Sequence, residues 1–485
     1  MDRAFGRTNR GGHFSFGFLG AAAALSLLLV PGLRGQLVTN VAAVPDNGKP
    51  PVIFLNGYQF GCTDRGTFAG TFGIADQVLA QDVRAVLFFN NCEVAPNVSI
   101  EELGNAFGRF LGSLKYADGR SVPQVDVVAH SMGGMIVRSY LAGKQPQRGS
   151  FTPPADTRIR KVIFLAVPFF GAVAVEVTGA PDIQSSALQI GSAFVFDLGT
   201  WNQNNDDLRG VDAIGVVATG GSGLSSGVPR FDDSTVSVTS GSLEWYLPGR
   251  TRIATGVCHT ILTGFFTVGC TNPAVSVAQI TSDQHDSAKI IRSFLNGTSE
   301  WQSVGQSPAG NDFLKDRGGV ALQFRDRTDQ IISIDSASAT GAGMLKIRNR
   351  EIAWNENVPG QPPLRISATS GSTTITADIP VASGQTKAFI VTTGGPGVGA
   401  VIPNFADVFP RAVAPGSFIS IYGSSLATST ATAGGLPYPV SLGGAEVRMN
   451  DQPIALQYVS DQQINAVVPD SLTGLVKLQV RTANG

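Results

Sequence analysis

One stretch constrains the fold more than any other: Val125-Asp126-Val127-Val128-Ala129-His130, then Ser131-Met132-Gly133-Gly134, then Met135-Ile136-Val137-Arg138-Ser139-Tyr140-Leu141. The first part is a nearly unbroken apolar run, the mark of a strand covered on both faces. The second is a turn of small residues. The third repeats apolar side chains at helical spacing. A strand that turns into a helix this sharply leaves its apex side chain, Ser131, standing at the end of a sheet. The pattern is G-x-S-x-G with Ala129 in place of the first glycine. Small residues are needed because the turn is strained and backbone packs closely on both sides. Alanine is the smallest side chain after glycine, and Gly133 fills the second small position. The N–H groups of the following helix face any negative charge that forms beside Ser131. The plain alternative is a serine in an ordinary strand-to-helix turn.

The flanking chain supplies the rest of such a sheet. Pro51-Val52-Ile53-Phe54-Leu55 reads as a buried strand ending in Asn56-Gly57-Tyr58, and Val83 to Phe89 reads as its neighbour. The Tyr58 N–H and the Met132 N–H are the candidate pair of oxyanion donors. Gly73 to Gln81 reads as a short helix, and Glu101 to Tyr116 as a longer one with Leu103, Phe107, Phe110, Leu111 and Leu114 on one face. Gly143 stops the helix after Ser131. Ile159 to Ala166 and Val211 to Thr219 read as further strands. Residues 172–210 show no clear strand and read as a lid over the site or as helices covering the sheet. Phe169, Phe170, Phe194 and Phe196 are expected near the mouth, where they suit an apolar acyl chain. Strands alternating with helices give an α/β fold with a mainly parallel sheet.

An activated serine on such a sheet needs an acid and then a histidine, in that chain order. Asp233, in Phe231-Asp232-Asp233-Ser234-Thr235-Val236, follows the 211–219 strand and is the expected acid, with Asp232 as the alternative. The histidines are His13, His130, His259 and His285. His13 lies in the N-terminal leader, and His130, next to Ser131, is expected to point away from it. The base is therefore His259, at the end of the Thr251 to Cys258 strand and 26 residues after Asp233, or His285. His285 precedes the amphipathic Ser287 to Leu295 segment and is the open alternative, or a group near substrate.

Residues 1–35 read as a signal peptide. Arg3, Arg7 and Arg10 precede a 17-residue uncharged run from Phe14 to Val30, which Pro31-Gly32 breaks. Cleavage after Gly35 or Ala43, or an uncleaved anchor, are the outcomes left open. In an exported chain the even count of four cysteines favours disulfides. Neighbouring parallel strands bring Cys62 and Cys92 to one edge of the sheet, and a Cys258–Cys270 bridge would brace the loop leaving His259. Charged residues are only 15% and the net charge is −1, with no basic patch, so nothing points to nucleic acid. No metal or cofactor is required by the Ser131 chemistry.

Residues 50–297 resemble the lipase branch of the α/β-hydrolases, in particular small bacterial lipases with A-H-S-M-G-G and GPI inositol-deacylase-like domains. The matching pieces are Asn56-Gly57, Ala129 to Gly134, Ile159 to Gly171, Asp233 to Val236 and Gly256 to His259. Relatives carry histidine where Asn56 stands and a polar pair where Phe169-Phe170 stands. The resemblance implies Ser131 as nucleophile, Asp233 as acid, His259 as base, and the Tyr58 and Met132 amides as oxyanion donors.

After residue 300 the pattern changes to short, β-branched runs between Gly, Pro, Asn and Ser clusters. Val320 to Phe324, Ile331 to Ile334, Met344 to Ile347, Leu364 to Ala368, Thr373 to Ile379 and Lys387 to Val391 form an expected β-sandwich over 314–393. Residues 405–485 resemble the IPT/TIG-like β-sandwich modules of exported acidobacterial proteins, through Val413 to Gly423, Leu436-Pro437 and Tyr458 to Asn465. Another strand is expected past Gly485, as in a truncated module. These readings converge on an exported serine ester hydrolase acting on a lipid or other apolar ester. A non-catalytic surface protein on a degenerate hydrolase scaffold, touching cell surface or polysaccharide through its sandwiches, and an acyltransferase are the alternatives.

Overall fold

The computed structural model describes residues 36–485 except 60–83, 95–96, 203–206, 222–231, 248, 260–278, 282–284, 309–310, 312–313, 327, 361–363, 380, 382, 394–396, 404–412, 474–475 and 483–485. The leader, the 73–81 helix, Cys62 and Cys270 lie outside the described residues.

The apolar runs become seven parallel strands: β1 (Gln36–Leu37), β2 (Val52–Leu55), β3 (Ala85–Phe89), β4 (Val125–His130), β5 (Ile159–Leu165), β6 (Asp212–Ala218) and β7 (Thr251–Ala254). Their order is β1-β3-β2-β4-β5-β6-β7, and every pairing is parallel. All side chains of β2 and β4 are buried, as a strand covered on both faces requires. Among the described residues, the helices around this sheet include α1 (Ile100–Ser113), α2 (Met132–Ala142), α3 (Val173–Thr178), α4 (Ile183–Ala187), α5 (Ala193–Thr200), α6 (Val238–Gly241) and α7 (Asp286–Asn296). Ser99 and Glu102 form a reciprocal capping box that starts α1. Gly143, at φ 62°, ends α2 in the left-handed conformation. One face of the sheet is covered by α1, α2 and the 172–200 segment, the other by α7 and Trp301.

From β2 the chain moves to β3 on one side, then crosses to β4 on the other. The connections leaving neighbouring β2 and β4 thus run in opposite directions. In open α/β sheets that reversal opens a crevice at the carboxyl ends of the strands. Leu55 pairs with Ala129, so the ends of β2 and β4 bring Asn56-Gly57 level with His130-Ser131. This is the α/β-hydrolase fold, with the β4–α2 turn and Ser131 at the switch point.

Two sheets follow, facing each other across an apolar core of residues such as Leu322, Phe324, Ile366 and Phe389. One contains β8 (Arg317–Arg325), β11 (Lys346–Arg348), β12 (Ile352–Pro359) and β15 (Thr386–Thr392); the other contains β9 (Ser336–Ala339), β10 (Gly343–Met344), β13 (Leu364–Ser370) and β14 (Thr373–Ile379). The expected strand at Ile331 to Ile334 is not formed; Ser336–Ala339 pairs instead. β12 escaped the sequence reading because Asn355-Glu356-Asn357 interrupts its apolar pattern. A second pair of sheets, with its own core, starts at strand Gly397–Pro403, before the expected start at 405, and ends at strand Leu478–Thr482.

The first sandwich is not strung loosely behind the α/β unit. Ala321, Ile352, Trp354 and Ala388 belong to the same apolar cluster as Phe164, Phe170 and Phe196. Arg348 donates to the Ile190 carbonyl at 2.7 Å and to Glu176. The 172–200 segment is therefore a layer between sheet and sandwich. Phe169, Phe170, Phe194 and Phe196 are all buried there, which corrects their expected place at the mouth: the sandwich covers the face they occupy.

Candidate active site

Ser131 sits between β4 and α2 with φ 54° and ψ −129°, a conformation costly for a residue with a side chain. Its neighbours show how the strain is held. The Ser131 N–H donates to the Leu165 carbonyl at 2.9 Å. A Cβ on Gly133 would come within 2.6 Å of the Asn56 carbonyl, and one on Gly134 within 2.1 Å of Val167. A Cβ on Gly57 would lie 2.7 Å from Ser131 Cβ and 3.2 Å from its Oγ. Glycine at 57 is thus what lets the loop after β2 close on the serine.

Three of the expected residues meet. His259 Nε2 lies 2.7 Å from Ser131 Oγ, and its Nδ1 lies 2.8 Å from Asp233 Oδ2. A carboxylate accepts at Nδ1–H, so Nε2 is the acceptor of the serine proton. The other oxygen of Asp233 accepts the Thr235 and Val236 N–H groups at 3.0 and 2.7 Å. The main chains are joined as well, the His259 N–H donating to the Asp233 carbonyl at 2.9 Å. All three residues are buried.

The two alternatives have other places. Asp232 is buried and accepts the Ser234 N–H at 2.8 Å, shaping the turn on which Asp233 rides. His285 caps α7, its Nδ1 accepting the Ser287 N–H at 3.4 Å. Burial lowers its pKa. It makes no contact with Ser131 or Asp233 among the described residues.

His130 packs against His259, a contact the sequence reading did not include. Its ring lies 4.7 Å from that of His259, and its Nε2–H donates to the His259 carbonyl at 3.2 Å. Burial, and then the neighbouring His259, hold its pKa well below the usual histidine range. A neutral ring thus backs the first imidazole without competing for its proton. Only the fold brings the loop after β7 across the end of β4, so the sequence carried no signal for this.

The loop after β2 has its own supports. Asn56 Nδ2 donates to Asn91 Oδ1 at 3.1 Å, and Asn91 Nδ2 donates to the Gly57 carbonyl at 2.8 Å. The Tyr58 hydroxyl donates to Asp182, the cap of α4, at 2.6 Å. Burial and this bond raise the phenol's pKa, so it stays protonated. Neither the Tyr58 nor the Met132 amide donates to a protein acceptor among the described residues. Cys92, just past β3, and Cys258, just before His259, are disulfide-bonded.

No family model and no curated protein matches the chain. Among solved structures it is similar to phospholipase PlaB from Legionella pneumophila, at 11% identity and a TM-score of 0.48, over 75% of this chain and 98% of that one. It is also similar to lipase BlEst2 from Bacillus licheniformis in its mature form, at 18% identity and a TM-score of 0.33, over 44% and 86%. Lipase 1 from Pelosinus fermentans is similar at 11% identity and a TM-score of 0.25, over 45% and 96%.

Proposed function

We propose that the chain is a serine ester hydrolase working through Ser131, His259 and Asp233. The observation that carries this is the unbroken relay of 2.7 and 2.8 Å bonds ending at a serine held in a strained turn. His259 Nε2 takes the hydroxyl proton as Ser131 Oγ bonds to the ester carbonyl carbon. Asp233 keeps the imidazole in the required tautomer and stabilises its positive form. The oxyanion sits against the Tyr58 and Met132 amides, with the N-terminus of α2 adding its field. Collapse expels the alcohol, which takes the proton from His259. Water, deprotonated by the same nitrogen, then releases the acid and restores the serine.

An apolar acyl group is supported by exposed Ile183, which directly follows Asp182, the residue that holds Tyr58. The bridges Cys62–Cys92 and Cys258–Cys270, export by the N-terminal leader, and an IPT/TIG-like character for the last pair of sheets, which begins at the Gly397–Pro403 strand, belong to the same reading. The test is cleavage of p-nitrophenyl esters of rising chain length, with fluorophosphonate labelling read by mass. Wild type labels at Ser131 and cleaves; Ser131→Ala does neither. Equal cleavage by the two proteins sinks the reading.

A further inference from the structure

Glu356 is the only charged residue of β12. It lies on the face that carries Ile352 and Trp354, which packs on the α/β unit, and its side chain is 6% exposed. Ser237 Oγ donates to Glu356 Oε1 at 2.9 Å, and Thr239 Oγ1 donates to the Glu356 main-chain oxygen at 3.2 Å. Ser237 is itself a junction. Its hydroxyl accepts the Ser240 N–H at 3.2 Å and so caps α6, and its backbone bridges to Asp232. Between Asp232 and Ser237 lies the turn that carries Asp233. Within it the Asp233 N–H donates to the Val236 carbonyl at 3.2 Å, and the Val236 N–H returns to Asp233 Oδ1 at 2.7 Å. One small hairpin thus has one end bonded to the sandwich and its tip bonded to His259.

The geometry points to Glu356 as a positioning residue for Asp233: it holds Ser237, and through it the 232–237 turn, so that Asp233 presents Oδ2 to His259. The role rests on the relay being catalytic. A buried carboxyl is expensive as mere filling. Three charged groups act on it. Lys346 on β11 favours its ionised form, while Asp232 and Glu176 oppose it; Glu176 is paired with Arg348 at 2.6 Å. Burial pushes the Glu356 carboxyl up to about 7, the Ser237 bond and Lys346 hold it back, and Asp232 and Glu176 add to the rise. The group therefore ionises near neutral pH. An ionised acceptor makes the stronger hydrogen bond to Ser237 and fixes the turn more firmly.

The test uses the whole chain. The values of kcat and KM for a p-nitrophenyl ester, and the rate of fluorophosphonate labelling, are measured from about pH 5 to pH 9 for wild type, Glu356→Gln and Glu356→Ala. Glu356→Ala lowers kcat and the labelling rate about tenfold or more, with KM changed by less than about twofold. Glu356→Gln keeps shape and acceptor but cannot ionise. Its log kcat rises through neutral pH with the slope of one proton, while the wild-type limb is steeper. A Glu356→Gln profile that superimposes on wild type overturns the proposal, and this isosteric variant decides it should Glu356→Ala not fold. Wild type that fails to label sinks the reading of Ser131 and this role with it. Wild type that labels, with superimposable profiles, sinks the role of Glu356 alone.

Discussion

At the scale of single residues, the candidate site distributes its work unevenly between two carboxylates and two histidines. Asp232 and Asp233 are neighbours in sequence and both buried, yet only Asp233 reaches an imidazole. Asp233→Asn keeps the shape but offers an amide where Nδ1–H needs an acceptor, or flips the ring to the wrong tautomer. The expected loss is on the order of 10³–10⁴ in kcat, with little change in KM. His285→Ala removes only the cap of α7, so kcat stays within about threefold of wild type while stability falls by about 1 kcal/mol. Steady-state kinetics and thermal unfolding of the two variants check this; equal losses of kcat would reassign the base. Ser131 was legible because it directly follows the apolar strand β4; Asp233 was legible only from chain order, as a carboxylate after β6 and ahead of the next element. The choice between His259 and His285 was not, because either position follows β7 and only the closing of the loop onto Asp233 separates them.

Among elements, the elbow is held by what packs against it. The switch point forces the loop after β2 onto Ser131, and Gly57 is the contact. Gly57→Ala would place a methyl 2.7 Å from Ser131 Cβ, and backbone on one side must move. The expected cost is about 1–3 kcal/mol of stability and about 10²-fold in kcat, since a shift near 1 Å misplaces the amides proposed as oxyanion donors. Urea unfolding and kinetics measure both; wild-type kcat in a folded Gly57→Ala protein would remove this loop from the site. Buried Arg138, a helical turn and a half into α2, ties the same helix outward: its guanidinium lies 4.2 Å over Trp245 and 3.2 Å from Asp207. The strand–turn–helix around Ser131 was legible because its whole signal is local. β12 was not, because its polar centre faces the α/β unit and therefore makes sense only against Ser237.

For the whole molecule, the apolar residues of 172–200 announced burial but not their cover, which is supplied by residues more than a hundred positions later. A chain ending after Ser303 would expose Phe170 and Phe196 and lose Trp354, Ile352 and Ala388 from the shared cluster. At about 1.5–3 kcal/mol per large apolar side chain, that loss rivals the net stability of a typical domain. Such a truncated protein is expected to aggregate, or to unfold without a cooperative transition. A soluble truncated chain with the wild-type Tm would show that the sandwich is dispensable.

The relay also has a consequence in time. Ser131 and His259 are 128 residues apart along the chain, and Ser237 and Glu356 are 119 apart. Contacts this distant in sequence close late, because their loop entropy is lost before they form. During folding, α1 and α2 take shape from local signals while Ser131 is still an unactivated alcohol. With Ser131 as the proposed nucleophile, its activation waits for the tertiary structure to close, and a half-folded chain carries no serine ready to attack the esters around it.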